Sequence, residues 1–282
     1  MSEIMKAVVF GIVEGITEWL PISSTGHMIL LEEIMPFSQG TVRPQFMEMF
    51  LVVVQLGAIF AVVAMYWERL FPFSWKSVSA GKKTVAIRTD VWIMWFKVVV
   101  ACLPAVVVEL CIGDKIEAWF YRYEVVAVML VLFGILFIAV ERWNQDRQAK
   151  VNSIAEITYQ AALLIGMFQV IAAVFPGTSR SGATILGALL IGISRKTAAE
   201  FTFFLAVPVM FGASFLKMWK FGADFQGQEL GILLMGMAVA FVVSVGVIRF
   251  LMDYIKRHDF QAFGYYRIIL GLLVFLLYPL LG

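Results

Sequence analysis

Long apolar runs alternate with short polar connections along almost the whole chain. Six of these runs are long enough for a helix to cross the ~30 Å hydrocarbon core of a bilayer. We expect transmembrane helices at residues 43–66, 91–112, 124–141, 197–220, 229–252 and 264–281. The pattern therefore predicts an all-α integral membrane protein.

Two further apolar segments are each interrupted by a polar turn. Residues 4–20 run into Pro21 and resume near 26–36, and residues 154–175 run into Pro176 and resume near 182–194. Backbone that is not helical is tolerated at membrane depth only where protein or water covers it. Both segments are therefore predicted to be re-entrant helix–turn–helix hairpins, which enter the membrane and return to the same side.

The two interrupted segments resemble each other, which suggests an internal duplication. "SSTG" ends at Gly26 and "SRSG" ends at Gly182, and the similar segments "QLGA" and "MFGA" follow at nearly equal intervals. Each half then holds one hairpin and three spans, and this odd number inverts the second half in the membrane. We expect inverted repeats at 1–142 and 153–282 within one membrane domain, with the hairpin tips meeting near the midplane.

Composition agrees with a membrane protein, and charge predicts its orientation. Hydrophobic residues make up 61% of the sequence and charged residues 15%, whereas soluble domains carry roughly 25% charged residues. The net charge of +2 gives no reason to expect nucleic acid as a partner. Most Lys and Arg residues, with Arg267 counted among them, fall on the side of the 67–90 loop. The positive-inside rule places that loop in the cytoplasm and both termini outside.

The first interruption, "EGITEWLPISSTGH", is acidic and rich in hydroxyl groups. Glu14 and Glu18 are four residues apart, so they share one face of a helix. Two such carboxylates repel each other unless one takes a proton or a cation lies between them. Mg²⁺ or Ca²⁺ suits a pair of this kind together with phosphate oxygens. The turn that follows contains Ser23, Ser24 and Thr25.

The second interruption, "PGTSRSGAT", is basic. Arg180 offers a guanidinium fork that suits phosphate oxygens, and an arginine at membrane depth is too costly for a merely structural turn. Other donors in this segment are Thr178, Ser179, Ser181, Thr184 and the first N–H groups of a helix expected to begin at Gly182. The two interruptions together predict a site for a phosphate ester, with donors for its oxygens and carboxylates for a cation or a proton.

In these segments the chain resembles the bacterial undecaprenyl-diphosphate phosphatases of the BacA/UppP type. "EGITEWLPISSTGH" and "PGTSRSGAT" look like the two signature segments of that family, and "QLGAI" and "EFTFFLAVP" are also similar to it. The resemblance implies removal of the terminal phosphate from a polyprenyl diphosphate, which regenerates the lipid carrier of cell-wall precursors. It also implies a place in the bacterial cell membrane, a site open to the periplasmic or outer face, a divalent cation and resistance to bacitracin.

The resemblance implies a role for each matching residue. Glu14 and Glu18 would be metal ligands or proton handlers, and Arg180 would clamp the phosphates. Ser24 would be the nucleophile, and His27 its general base or the acid for the leaving group. Substrate binding would involve Ser23, Thr25, Thr178, Ser179, Ser181, Gly182 and Thr184. Attack by a cation-activated water stays open as an alternative to attack by Ser24.

Transport is the alternative function, because inverted repeats with broken helices are also the architecture of secondary transporters. A flippase for polyprenyl phosphates would need an anion site, but it would need neither a nucleophile nor paired acids. The residues of the two interruptions therefore favour hydrolysis. The sequence leaves the oligomeric state open, with a homodimer among the alternatives.

Overall fold

A computed structural model of the chain describes residues 1–38, 40–78, 82–222 and 224–281, so residues 79–81 of the predicted cytoplasmic loop lie outside the described part. The described part is helical apart from one β-hairpin. Its elements, in chain order, are α1 (Glu3–Thr17), α2 (Ser24–Ile34), α3 (Phe46–Val53), α4 (Gln55–Met65), α5 (Trp67–Leu70), β1 (Phe73–Val78), β2 (Lys82–Ile87), α6 (Thr89–Phe120), α7 (Tyr123–Asn144), a 3₁₀ turn (Ile154–Glu156), α8 (Tyr159–Val174), α9 (Arg180–Leu190), α10 (Arg195–Phe221), α11 (Glu229–Tyr254) and α12 (Gln261–Leu281).

The described residues contain six helical segments that are long and apolar enough to cross a membrane. They confirm the six predicted spans, with ends that differ by a few residues. The segments are Phe46–Met65, Thr89–Gly113, Tyr123–Asn144, Arg195–Phe221, Glu229–Tyr254 and Gln261–Leu280. The chain is thus a multi-pass, all-α membrane protein.

The two interrupted segments form helix–break–helix units, α1–α2 and α8–α9. The second helix of each unit has 11 residues, which at 1.5 Å per residue gives about 16 Å. That length is well short of the ~30 Å hydrocarbon core. The re-entrant course stays a prediction, and these lengths support it.

The strands β1 and β2 pair antiparallel, with Phe73 opposite Ile87. They lie between the first and second spans, where the sequence predicted only a loop. Two-residue alternation is weak in this polar connection, so the strand pairing could not be anticipated from it.

Helices of the first half of the chain pack against helices of the second half. In the first half, α1 packs on α11, and in the second half, α8 packs on α6. Likewise α2 packs on α12 and α9 on α7, while α7 and α12 pack on each other. Each contact thus has a counterpart in which the halves change roles. The division into inverted repeats stays a prediction, which this exchanged packing supports.

Small residues bring these helices together. A Cβ atom built on Gly134 of α7 would lie 2.7 Å from the carbonyl oxygen of Gly264, and one built on Gly264 of α12 would lie 2.7 Å from that of Gly134. The reciprocal contact leaves no room for a side chain on either helix. Such small-residue interfaces let transmembrane helices approach closely where no hydrophobic effect drives them together.

The glycines of the similar segments "QLGA" and "MFGA", Gly57 and Gly212, differ in how closely a neighbouring helix packs on them. A Cβ atom at Gly57 would overlap the backbone of Met237, whereas one at Gly212 would meet nothing within 4 Å. The match between "QLGA" and "MFGA" is therefore not a match of close helix contacts, since only the first of the two glycines touches a neighbouring helix.

Aromatic packing anchors the first break. Trp19 lies two residues after the end of α1 and is fully buried, and its ring meets that of Phe203 edge-on at a centroid distance of 5.2 Å. Phe203 lies in α10 between the buried Phe201 and Phe204. An edge-on pair of rings contributes about 0.5–1.5 kcal/mol, so the break is held against α10 rather than left as a free loop.

Candidate active site

The first break ends in an unusual backbone conformation at Ser23. Its φ of 75° is rare for a residue with a side chain. Ser23 precedes α2, and its Oγ accepts a hydrogen bond from the Gly26 N–H at 3.3 Å. This N-cap starts the helix at Ser24, two residues before the expected start. Ser24 is thus the first helical residue instead of part of the turn.

The second break has the same construction. Ser179 has a φ of 69°, and its Oγ accepts from the Gly182 N–H at 3.2 Å. The cap makes Arg180 the first residue of α9, again two residues before the expected start. Strained non-glycine residues persist where the surrounding structure holds them, and they cluster at functional sites. The two breaks thus share one local construction, a serine at positive φ that caps the following helix.

An ion pair joins the breaks. Arg180 Nη2 donates to Glu18 Oε1 at 2.7 Å, although 162 residues separate the two along the chain. Both side chains are largely buried, with 14% and 8% of their surfaces exposed. Arg180 also donates to the Thr202 carbonyl oxygen of α10 at 3.4 Å. The acidic and the basic break thus share one enclosed location.

The hydroxyl group of Ser24 belongs to the same cluster. Ser24 Oγ donates to Glu18 Oε2 at 3.0 Å, so the two carboxylate oxygens of Glu18 bind Ser24 and Arg180 separately. Ser24 and Arg180 are the first residues of α2 and α9. Two helix N-termini, which attract negative charge, therefore converge on one carboxylate.

Glu14 lies behind Glu18, one helical turn earlier. Its side chain is 1% exposed, and the spacing of four residues places it on the same helix face as Glu18. Glu14 Oε1 has no hydrogen-bond partner among the described residues. A buried carboxyl oxygen without a partner is unfavourable, so this position is suited to a proton or to a cation held together with Glu18.

The donor set fits a divalent cation only with help from the substrate. The described residues contain no group of three or more His, Cys, Asp or Glu side chains that could hold a metal ion. Glu14 and Glu18 supply two carboxylates, and Mg²⁺ typically binds one or two carboxylates while phosphate oxygens and waters complete its shell. The pair thus fits a cation that arrives with a diphosphate.

His27 faces away from the hydroxyl group of Ser24. Its Nδ1 lies 2.7 Å from the Ser23 carbonyl oxygen, and its Nε2 lies 2.7 Å from the Tyr266 hydroxyl. A carbonyl oxygen only accepts, so Nδ1 carries the proton and neutral Nε2 accepts from Tyr266. The Tyr266 ring also stacks on the imidazole at 5.6 Å. In this arrangement Glu18, and not His27, accepts from Ser24; the proton-transfer role of His27 stays a prediction.

Several hydroxyl groups that are predicted to bind substrate hold the second break in place in this structure. Ser181 Oγ donates to the Glu18 carbonyl oxygen at 3.1 Å, and it lies 3.1 Å from Ser179 Oγ. Thr184 Oγ1 donates to the Arg180 carbonyl oxygen at 2.9 Å and contacts Thr202 at 2.9 Å. These contacts fix the position of Arg180, which is a supporting role whether or not a hydroxyl also reaches the substrate.

The remaining predicted residues differ in their availability. Thr178 is fully buried, and its Oγ1 has no partner among the described residues. Thr25 is partly exposed beside Ser24. The Gly182 N–H is occupied by the Ser179 cap. Thr178 thus keeps a free donor without exposed surface, and Thr25 has exposed surface next to Ser24.

Arg267 is the residue that sequence reasoning missed. It was counted with the cytoplasmic cations, which is wrong, because it is fully buried in α12. Its Nη1 donates to the Pro21 carbonyl oxygen at 3.1 Å, and its Nη2 donates to those of Gly177 and Thr178 at 2.9 and 2.8 Å. One guanidinium therefore ties both breaks together. The available signal was an arginine within an apolar span, which by itself indicates function.

The chain is similar over almost its whole length to proteins of one known family. The model of the family described as bacitracin resistance protein BacA matches residues 7–273. An undecaprenyl-diphosphatase of Desulfitobacterium hafniense is 58% identical over 277 residues, which are 98% of this chain and 96% of the relative. Undecaprenyl-diphosphatase 1 of Clostridium acetobutylicum is 58% identical over 95% of each chain. An undecaprenyl-diphosphatase of Enterococcus faecalis is 55% identical over 98% of this chain and 97% of the relative.

Proposed function

The chain belongs to the family of bacitracin resistance protein BacA, and from this membership we propose that it hydrolyses undecaprenyl diphosphate to undecaprenyl phosphate and inorganic phosphate. The observation that carries the proposal is the contact of Ser24 and Arg180 with the two oxygens of Glu18. A hydroxyl group, a carboxylate and a guanidinium are the parts that attack on a phosphorus atom requires. The names of the relatives describe hydrolysis, so the alternative of a lipid flippase has no support from them.

The diphosphate is held by the groups that now hold Glu18. The Arg180 guanidinium and the N-termini of α2 and α9 already stabilise an anion at this place. A terminal phosphate that enters beside Ser24 meets the same donors, which stabilise the negative charge on its oxygens. Thr25 and Thr178 donate to the remaining oxygens.

Ser24 is the proposed nucleophile. Its Oγ attacks the terminal phosphorus while its proton passes to Glu18, which accepts from it at 3.0 Å. The bond from that phosphorus to the bridging oxygen breaks, and undecaprenyl phosphate leaves with the bond's electron pair and takes up the proton from Glu18. Water then hydrolyses the phosphoserine, which releases inorganic phosphate and restores Ser24.

Glu14 and Glu18 are the proposed ligands of a divalent cation, Mg²⁺ or Ca²⁺. When bound, the cation neutralises negative charge on the diphosphate oxygens. The unpartnered, buried Oε1 of Glu14 and the adjacent Glu18 support this assignment. The Ser24 hydroxyl donates to Glu18, and Glu14 Oε1 has no hydrogen-bond partner among the described residues, so the proposed part of Glu14 is to hold charge in place rather than to take the nucleophile's proton.

The proposed location is the bacterial cell membrane, with the site open to the periplasmic or outer side. The support is the positive-inside rule, since most Lys and Arg residues still fall on the side of the 67–90 loop after Arg267 is removed from the count. A lipid diphosphate that stays in the bilayer can reach such a site sideways while its head group remains in contact with water.

The test is phosphate release by the detergent-solubilised protein from a prenyl diphosphate. Release in the absence of a sealed membrane is the expected result, since hydrolysis needs no second compartment. The absence of release with wild-type protein, in the presence of Mg²⁺ or Ca²⁺, contradicts the proposal. With undecaprenyl diphosphate labelled in its terminal phosphate, the expected products are labelled inorganic phosphate and unlabelled undecaprenyl phosphate.

A further inference from the structure

A cavity of about 680 Å³ lies where α7 and α9 end and α10 begins. This volume falls within the roughly 300–1,000 Å³ of sites for small molecules. None of its lining residues belongs to the Glu18–Arg180 site. Its charged lining consists of Arg147, Lys150, Arg195, Lys196 and Glu141, so cations outnumber the acid by four to one.

The acid of this lining is already neutralised. The Glu141 side chain is fully buried in an ion pair with Arg195, whose Nε lies 3.0 and 3.1 Å from its two oxygens. Glu141 also accepts from the Phe260 N–H at 3.1 Å. Glu141 and Arg195 therefore cancel each other, and the cavity keeps the positive charges of the other three cations.

These three cations have no acidic partner within the part of the chain that the structure describes. Arg147, Lys150 and Lys196 are exposed, and none of them forms an ion pair there. The Arg147 guanidinium lies 3.6 Å above the ring of Trp143, which fixes its direction through a cation–π contact. Three like charges around one cavity create a positive potential that attracts an anion.

One wall of the cavity is apolar and open to the surroundings. Trp143 is 48% exposed and Leu190, at the end of α9, is 36% exposed. Tryptophan at the end of a spanning helix lies at the level of the lipid head groups. A soluble anion needs no such wall, whereas a lipid places its phosphate among the cations and its acyl chains along the apolar side.

The backbone around the cavity is pre-formed. The Lys150 N–H donates to the Gly192 carbonyl oxygen at 2.8 Å, and the Ser194 N–H donates to that of Val151 at 2.9 Å. These bonds hold the connection after α7 against the turn before α10. A site that is already shaped binds its ligand without a large ordering cost.

We propose that this cavity binds the phosphate head group of an anionic phospholipid from the adjacent leaflet. Arg147, Lys150 and Lys196 contact the phosphate, and the first methylene groups of the acyl chains lie against Trp143 and Leu190. The ligand is thus a structural or regulatory lipid, distinct from the substrate at the Glu18–Arg180 site.

The experiment measures lipid binding to the purified protein in neutral detergent by native mass spectrometry. Phosphatidylglycerol, phosphatidylcholine and inorganic phosphate are titrated separately. The test variant carries Arg147→Gln, Lys150→Gln and Lys196→Gln, and the control carries Arg249→Gln, Lys256→Gln and Arg257→Gln. The control removes the same charge from exposed positions around the end of α11, outside the cavity lining. Phosphate release checks that both variants are folded, since neither touches the Glu18–Arg180 site.

We expect tight binding of phosphatidylglycerol to the wild type and the control, and about a hundredfold weaker binding to the test variant, because each interfacial cation strengthens binding several-fold. Phosphatidylcholine should bind weakly to all three proteins. Equal phosphatidylglycerol binding by test and control variants overturns the proposal, since the cavity would then be irrelevant. Binding of inorganic phosphate that depends on the three cations, without such binding of phosphatidylglycerol, also overturns it and identifies a soluble anion as the ligand.

Discussion

Arg180 and Glu18 form a 2.7 Å ion pair between the first turn of α9 and the break after α1. The pair places a guanidinium and a carboxylate, each close to a helix N-terminus, around one enclosed position. In the proposed reaction a diphosphate that enters this position would compete with Glu18 for Arg180, and the carboxylate would keep its contact with Ser24, whose proton it takes. The ion pair thus represents a resting arrangement of the proposed catalytic groups.

Replacement of either partner should abolish most of the activity. We expect Arg180→Ala and Glu18→Gln each to lower the rate of phosphate release by about 10²–10³-fold, because charge on the transferring phosphoryl group loses its stabilisation or Ser24 loses its proton acceptor. Arg69→Gln is the matched control, since Arg69 pairs with Glu200 elsewhere. Normal rates in both site variants would remove these residues from the mechanism.

Ser24 should carry a phosphoryl group during turnover. With substrate labelled in the terminal phosphate, rapid acid quenching should trap label on the wild-type protein and none on Ser24→Ala. Ser38→Ala serves as the control, because its hydroxyl group is bound to Glu3, away from the site. Unchanged turnover by Ser24→Ala would instead indicate that water attacks the phosphorus directly.

Removal of divalent cations should stop the reaction, and Glu14 should set the cation affinity. We expect chelation to abolish phosphate release and added Mg²⁺ or Ca²⁺ to restore it. Loss of one of two carboxylate ligands should raise the cation concentration for half-maximal activity in Glu14→Gln, by about 10-fold or more. An unchanged cation titration in this variant would mean that Glu14 holds a proton rather than a metal ion.

Replacement of Arg267 should lower both the thermal stability and the rate of phosphate release. Arg267→Met leaves the carbonyl groups of Pro21, Gly177 and Thr178 without their buried donor, which costs about 1–3 kcal/mol for each group. We expect a lower midpoint of thermal unfolding and slower phosphate release. Arg267→Lys keeps some donors and should recover part of both.

A comparison of Arg267→Met with Arg180→Met distinguishes a residue that positions the two breaks from one that binds the substrate. Arg180→Met should reduce phosphate release with a smaller loss of thermal stability, because Arg180 serves the reacting groups. If Arg267→Met unfolds at the wild-type temperature, the tie between the two breaks is not a source of stability and Arg267 has another role.

The α7–α12 contact should tolerate no added side chain. Gly134→Val forces atoms into the 2.7 Å approach to the Gly264 carbonyl oxygen, and overpacking of this kind costs about 1–3 kcal/mol or more. We expect a lower unfolding temperature for Gly134→Val and, since the contact is reciprocal, a similar change for Gly264→Val. Gly246→Val is the control, because nothing lies within 4 Å of its Cβ position; equal stability of all three variants would contradict the close packing.

The six spans and the two breaks could be predicted from the sequence because their causes are local. The length of an apolar run decides whether a helix can cross a bilayer, and Pro21 and Pro176 interrupt their segments wherever the rest of the chain lies. The residue types at the breaks likewise indicated phosphate chemistry, since carboxylates, hydroxyl groups and an arginine are rare within apolar surroundings.

The partners of these residues were decided by the tertiary structure alone. The suspected duplication predicted that the two breaks meet, but no local pattern shows which groups pair there. That Arg180 pairs with Glu18, that Tyr266 bonds to His27 and that Arg267 reaches both breaks are contacts between segments far apart along the chain. Such contacts depend on which helices pack together, and that choice rests on the fit of small residues such as Gly134 and Gly264 across two helices. The sequence by itself determined which groups are present at each break; the packing of the two halves decided which of them meet in one enclosed place.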